Sequence, residues 1–286
     1  MTAAIAIVSP LEAQMYLNNS AICTIDARSY ADYIAGHIPG ARWMGWEAWC
    51  EEAPAHAGQV LAQPGYWGVL KEDTTASLQE SLRQAGVSEE RPALVYADGP
   101  RSKGREARIA WMLLYLGIPS VLLLDGGWSG WLKHGGSSDV AIPLPEYGQF
   151  HIRVQEYRRV RLRDLRQDLQ GDSLPLLIDA RSQAEFAGHR HAYQPRMGRL
   201  PGAMHMPYTG LFDESGNFVT KNIYLQCLPA EARNAERCVT YCEVGVRSCL
   251  FALLHELYTG KVVANFDGSF MQWALDSSLP AESDTA

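Results

Sequence analysis

The chain has 286 residues, is 47% hydrophobic and carries a net charge of −7. It can therefore bury one large or two modest cores, and it does not attract nucleic acid or an anionic membrane surface. No apolar run approaches the roughly 18 residues of a membrane span, and Met1-Thr2-Ala3-Ala4-Ile5 has neither a basic nor a long apolar stretch, so a cytoplasmic address is expected.

In chain order, Ile22 to Ile25 predicts a strand, Ser29 to Gly36 a short helix and Leu94 to Tyr96 a second strand. Gly104 to Leu116 predicts a helix ended by Gly117, and Val121 to Leu124 a third strand. Gly135 to Tyr147, with Pro143 and Pro145, lacks periodicity and predicts a linker. Beyond it, Leu176 to Ile178, Val239 to Tyr241 and Val262 to Ala264 predict strands, and Ser248 to Tyr258 a helix ended by Gly260. Short apolar strands alternating with helices predict an α/β fold with mostly parallel sheets flanked by helices. The six cysteines, at 23, 50, 227, 238, 242 and 249, form no Cys-x-x-Cys pair. That spacing suits a reducing compartment and suggests neither a disulfide framework nor a zinc site, so no metal or cofactor is expected.

The chain repeats itself. Ile25-Asp26-Ala27-Arg28-Ser29 recurs as Ile178-Asp179-Ala180-Arg181-Ser182, and Pro39-Gly40-Ala41 as Pro201-Gly202-Ala203. Asp125 and Asp267 are each followed by glycine, and six residues later by Trp131 and Trp273. The order is kept, so the chain is two copies of one domain of ordinary size. The expected bounds are 1–134 for the first, 135–148 for the linker and 149–286 for the second.

Within the second copy, Cys242-Glu243-Val244-Gly245-Val246-Arg247 lies between a strand and a helix. Such a loop presents backbone N–H groups without intrahelical partners at the positive end of the helix dipole, which makes it a cradle for an anion. A cysteine after a buried strand is often only a small hydrophobe. Here the mid-loop glycine, Arg247 and the helix beyond favour a thiolate, with Cys242 as nucleophile, Arg247 as its cation, and Glu243, Val244, Gly245 and Val246 as the donor-binding loop. At the matching place in the first copy stands Asp98, give or take one residue, a carboxylate in place of a thiol.

These landmarks, Asp-Ala-Arg, Pro-Gly-Ala, the six-residue loop and the late Asp-Gly followed by Trp, resemble those of the tandem-domain rhodaneses and mercaptopyruvate sulfurtransferases, over both halves of the chain. The resemblance implies a silent first domain and a catalytic second one. It implies sulfur transfer from a small anionic donor through a persulfide on Cys242 to cyanide or a thiol, without nucleic-acid or membrane partners. The related phosphatases use Cys-x5-Arg, whereas Cys242 to Arg247 is Cys-x4-Arg. A non-catalytic sulfur-carrying or regulatory module is a further alternative.

The departures from the family bear on the donor. Glu243 and Val244 match neither the thiosulfate nor the mercaptopyruvate loops, and Glu185 stands before Phe186 where the family has a donor-binding arginine. Arg190, Arg196 and Arg199 are left to serve, and Arg196, in Gln194-Pro195-Arg196, matches the second family arginine. Trp43 is expected as an apolar wall for the donor. Thiosulfate is the expected donor, with 3-mercaptopyruvate as the alternative. His37 is expected to fix a loop, and Asp26 and Asp179 to play equivalent structural roles.

Overall fold

A computed structural model describes residues 4–19, 22–72, 75–171, 173–189 and 193–284. The first copy runs β1 (Ala4–Val8), α1 (Pro10–Asn18), β2 (Cys23–Asp26), α2 (Tyr30–Ala35), β3 (Arg42–Trp43), α3 (Thr75–Gln84), β4 (Ala93–Tyr96), α4 (Arg105–Tyr115), β5 (Ser120–Leu124) and α5 (Gly127–Lys133). The second runs β6 (Arg159–Val160), α6 (Leu162–Gln170), β7 (Leu176–Asp179), α7 (Gln183–Ala187), β8 (Met204–His205), α8 (Lys221–Cys227), α9 (Ala230–Asn234), β9 (Cys238–Tyr241), α10 (Arg247–Thr259), β10 (Ala264–Phe266) and α11 (Ser269–Leu275). Each copy forms a five-stranded parallel sheet, in the orders β1-β5-β4-β2-β3 and β6-β10-β9-β7-β8. No helix among the described residues is long and apolar enough to cross a membrane.

Local chemistry sets the element ends. Ser29 and Ser182 cap α2 and α7 by accepting the N–H groups of Asp32 and Glu185, and Gly260 closes α10 in the left-handed conformation. The inner strands β2 and β4 are buried along their whole length, as strands covered on both faces must be. The last strand falls at 264–266 rather than 262–264, because pairing with β9 begins at Ala264. The edge strands β1, β3, β6 and β8 go beyond the expected set, the last three having only two residues each, too few to show a pattern.

The two copies match in their buried polar groups. Arg28 grips Asp26 and the Gly36 carbonyl, and Arg181 grips Asp179 and the Gly198 carbonyl. Tyr96 and Tyr241 accept the N–H groups of Ile38 and Leu200. Trp131 and Trp273 donate to the carbonyls of Ser137 and Pro280 at 2.8 Å each. His37 is buried, stacked on Tyr33, and bonds the carbonyls of Tyr33 and Ala141, a loop-fixing role.

By compactness the chain divides into one unit of residues 1–46, 72–155 and 212–218 and another of 47–71, 156–211 and 219–286. The stretch 47–71, placed by sequence in the first copy, thus folds with the second. Leu70 N–H donates to Asp267 Oδ2 at 2.7 Å, and Arg159 donates to the Leu70 carbonyl. In the other unit Asp125 likewise accepts the N–H of Phe218. The stretch 135–148 belongs to the first unit, where Asp139 exchanges backbone hydrogen bonds with His37.

Because Asp26 and Asp179 are fully buried beneath their arginines, Asp26→Asn and Asp179→Asn should each destabilise the protein by about 3 to 5 kcal/mol through an uncompensated guanidinium. Urea denaturation followed by circular dichroism measures this. A loss of activity in Asp179→Asn without a loss of stability would instead assign that residue to the chemistry.

Candidate active site

The loop 242–247 leaves the carboxyl end of β9, where sites of parallel α/β sheets lie. Cys242 is completely buried. Its N–H donates to Ser269 Oγ at 3.1 Å, and Ser269 in turn donates to the Phe266 carbonyl at 2.7 Å. Ser269 holds a left-handed φ of 53°, a strained state for a residue with a side chain. The carbonyls of Cys242 and Glu243 accept the N–H groups of Phe270 and Met271. Gly245, with φ 73°, passes so close to Asp267 that a Cβ would come within 2.4 Å of its carbonyl oxygen. The stretch before Leu70 presses on the loop from another side, and a Cβ on Gly68 would stand 1.8 Å from the Val244 carbonyl oxygen.

Held this way, the loop leaves donors open. Among the described residues the N–H groups of Glu243, Val244 and Val246 have no hydrogen-bond partner. Behind the sulfur, Ser248 Oγ lies 3.5 Å from Cys242 Sγ and 2.6 Å from Asn265 Oδ1. Asn265 Nδ2 donates to the Gly245 carbonyl at 3.1 Å and faces Cys249 Sγ at 3.3 Å. Ser248, Asn265 and Cys249 are all fully buried.

Arg247 is not left alone with the sulfur. Its Nη1 and Nη2 donate to Glu185 Oε2 and Oε1 at 2.8 and 2.7 Å, and Nη2 also faces Glu243 Oε2 at 3.4 Å. The guanidinium lies 5.7 Å from the Tyr208 ring centre. Burial opposes its charge, but Glu185, Cys242 and Glu243 outweigh burial and keep it firmly protonated. Burial would raise the Glu185 carboxyl, yet the Arg247 hydrogen bonds and charge, with those of Ser182, bring it down to about 2. Tyr193 is pushed up by burial and by the neighbouring Glu243 carboxylate, and its ring meets Tyr66 edge-on at 5.2 Å.

The structure brings Cys242, Glu243, Val244, Gly245, Val246 and Arg247 together, and it turns the Arg196 guanidinium to other partners. The Arg196 guanidinium donates to the carbonyls of Trp273, Ala274, Asp276 and Leu279, tying down the end of α11, so its donors are taken by backbone. Trp43 belongs to the other unit, is 38% exposed, and donates its ring N–H to the Arg28 carbonyl. Arg199 pairs with Asp284 and Glu282 over Phe186, and Arg190 lies outside the described residues.

The counterpart of Cys242 in the first copy is Ala97, not Asp98. The Ala97 carbonyl accepts from Trp128 as the Cys242 carbonyl accepts from Phe270, and the Tyr96 and Tyr241 carbonyls accept from Ala27 and Ala180. Asp98 matches Glu243 instead. A cavity of about 410 Å³ opens there, lined by Arg28, Asp32, Asp98, Arg101, Ser102 and Trp128, with no sulfur in its loop.

Sequence reasoning also missed Ser269, Asn265, Gly68 and the role of Glu185. Only Glu185 carried a local signal, as the third residue of a Ser-x-x-Glu capping box that fixes its direction.

The model of the Rhodanese-like domain matches residues 9–134 and 162–276. The chain belongs to the rhodanese family. Among its rhodanese relatives, the thiosulfate sulfurtransferase of Corynebacterium glutamicum is 27% identical over 262 residues, 87% of this chain and 81% of that one. The 3-mercaptopyruvate sulfurtransferase of Escherichia coli K12 is 26% identical over 254 residues, 88% and 85% of the two chains. The crystal structure of the 3-mercaptopyruvate sulfotransferase SseA from Escherichia coli superposes with a TM-score of 0.74 at 22% identity, covering 94% of this chain and 99% of that one. The chain shares that fold.

The ordinary value for Glu185 is 4.5 and its folded value about 2. Its stabilising contribution is therefore complete above pH 4.5 and fades as pH falls towards 2. Thermal unfolding of wild type and Glu185→Gln should differ by a constant Tm gap above about pH 5, and the gap should close on acidification. A gap independent of pH would place the effect of Glu185 elsewhere than in its charge.

Proposed function

We propose that the chain is a sulfurtransferase in which Cys242 carries sulfur as a persulfide. The observation that carries this reading is the covered Cys242 sulfur at the end of β9, beside loop N–H groups that have no partner and within reach of Ser248. Preorganised donors of this kind stabilise a thiolate and, equally, the terminal anionic sulfur of a persulfide. Relatives named as thiosulfate and 3-mercaptopyruvate sulfurtransferases support the reaction class.

With thiosulfate, the Cys242 thiolate attacks the outer sulfur, a new S–S bond forms, and the old one breaks with its electron pair leaving on sulfite. A thiolate or cyanide then attacks the outer persulfide sulfur and the Cys242 thiolate departs. No external oxidant or reductant is needed. Because the sulfur is fully covered, the side chains around it must yield to admit the donor.

Thiosulfate stands ahead of 3-mercaptopyruvate, since Val244 offers no hydroxyl to move a proton and Glu185 offers no grip on a carboxylate. Its binding is weak. Opposed charges about 6 Å apart cost on the order of 1 to 3 kcal/mol at an effective dielectric of 20 to 80, which Glu243 imposes on a dianion.

Cys242→Ser should abolish sulfur transfer with the fold intact, because a hydroxyl is far less nucleophilic and holds no persulfide. Mass spectrometry of donor-treated wild type should find one added sulfur, on Cys242; sulfur on Cys249 or Cys238 instead would refute the assignment. Glu243→Gln should speed thiosulfate turnover at low donor concentration, more at low salt than at high salt because added ions screen the repulsion felt by the approaching dianion. An improvement insensitive to salt would trace the effect to shape rather than charge.

A further inference from the structure

The catalytic loop holds more carboxylates than its one cation can answer. Arg247 gives both terminal nitrogens to Glu185, and one of them also faces Glu243. Glu243 Oε1 is buried, and the Tyr193 hydroxyl lies against the Glu243 carboxylate, which pushes that phenol up. The other described arginines near this part of the unit are engaged as well. Arg181 holds Asp179 and the Gly198 carbonyl, Arg196 holds four carbonyls, and Arg199 holds Asp284 and Glu282. An incoming dianion therefore meets a loop of one positive and two negative charges. An incoming ammonium meets a carboxylate that holds only a shared part of the Arg247 guanidinium, and a charge-assisted hydrogen bond to it is favourable.

We infer that Glu185 and Glu243 set donor specificity: Glu185 withholds Arg247 from anionic donors, and Glu243 recruits donors that carry an ammonium group, with amine-bearing alkyl persulfides as the class that fits. The inference rests on the sulfur-transfer reading above and narrows its donor. Glu185 is suited to this because the capping box with Ser182 fixes its carboxylate independently of Arg247. The chemistry is unchanged in kind. The Cys242 thiolate attacks the outer sulfur of R–S–SH, the bond between the two donor sulfurs breaks, and RS⁻ leaves with the electron pair while the outer sulfur and its proton stay on Cys242. Thiosulfate remains a working donor, limited by binding.

Two persulfides of similar length and opposite end charge test this, those of cysteamine and of 3-mercaptopropionate, prepared in situ beside thiosulfate. In wild type the KM for cysteamine persulfide should lie at least tenfold below that for 3-mercaptopropionate persulfide, with similar kcat. Glu243→Gln should raise the cysteamine persulfide KM about tenfold, and Glu185→Gln, which keeps the capping geometry, should lower the thiosulfate KM about tenfold with little change in kcat. If Glu185→Gln does not fold, the two persulfides on wild type and on Glu243→Gln decide. Equal KM values in wild type, or a lower one for the carboxylate donor, overturn the inference while leaving sulfur transfer standing. Failure of every donor to add sulfur to Cys242 overturns the sulfur-transfer reading itself, and the inference with it.

Discussion

The close seating of the loop 242–247 on residues 267–269 is the constraint from which the rest of the site follows. Gly245 can turn under the Asp267 carbonyl only because it has no side chain, and Ser269 accepts a left-handed backbone so that its hydroxyl can take the Cys242 N–H. Strain of this kind costs on the order of 1 to 3 kcal/mol and persists only where surrounding contacts over-determine it. Here they do, since Phe270 and Met271 bond the next two loop carbonyls and Asp267 is itself anchored by Arg159 and Leu70. The sulfur is fixed by backbone, and the neighbouring side chains are left to decide what approaches it.

The first copy shows what the same scaffold does without that selection. Gly127 occupies the place of Ser269 with nearly the same φ, 55° against 53°, so the turn survives without the hydroxyl. Asp32 stands where Glu185 stands, capping its helix through Ser29. Ala97 replaces the sulfur. The buried Asp–Arg pair is retained unchanged in both, which marks it as part of the fold rather than of the reaction.

The repeat, the α/β class and the Cys242 loop were legible in the sequence because each is written in adjacent residues: a strand, a glycine, a cap, a helix. What escaped was non-local. The one-residue offset between Ala97 and Asp98 is resolved by Tyr96 and Tyr241, which end β4 and β9 and play the same part in each copy. The Glu185 clamp joins residues 62 apart. Arg196 sat at the right place in a motif, but motif position does not say which way a guanidinium points, and four backbone carbonyls of the α11 region claimed it. The residues of 47–71 are no more suited by composition to one core than to the other, so only the fold reveals which they join.

That last feature bears on how the two copies could have come to depend on one another. Each late aspartate, Asp125 or Asp267, receives a backbone N–H from a segment encoded in the opposite half of the chain, Phe218 or Leu70. A duplicated ancestor with independent domains could lose either half and keep the other. Once these segments were exchanged, the first copy became indispensable to the second, because it encodes the stretch that presses on the loop 242–247. A cut between the two halves of the chain then takes from each late aspartate the N–H that it accepts.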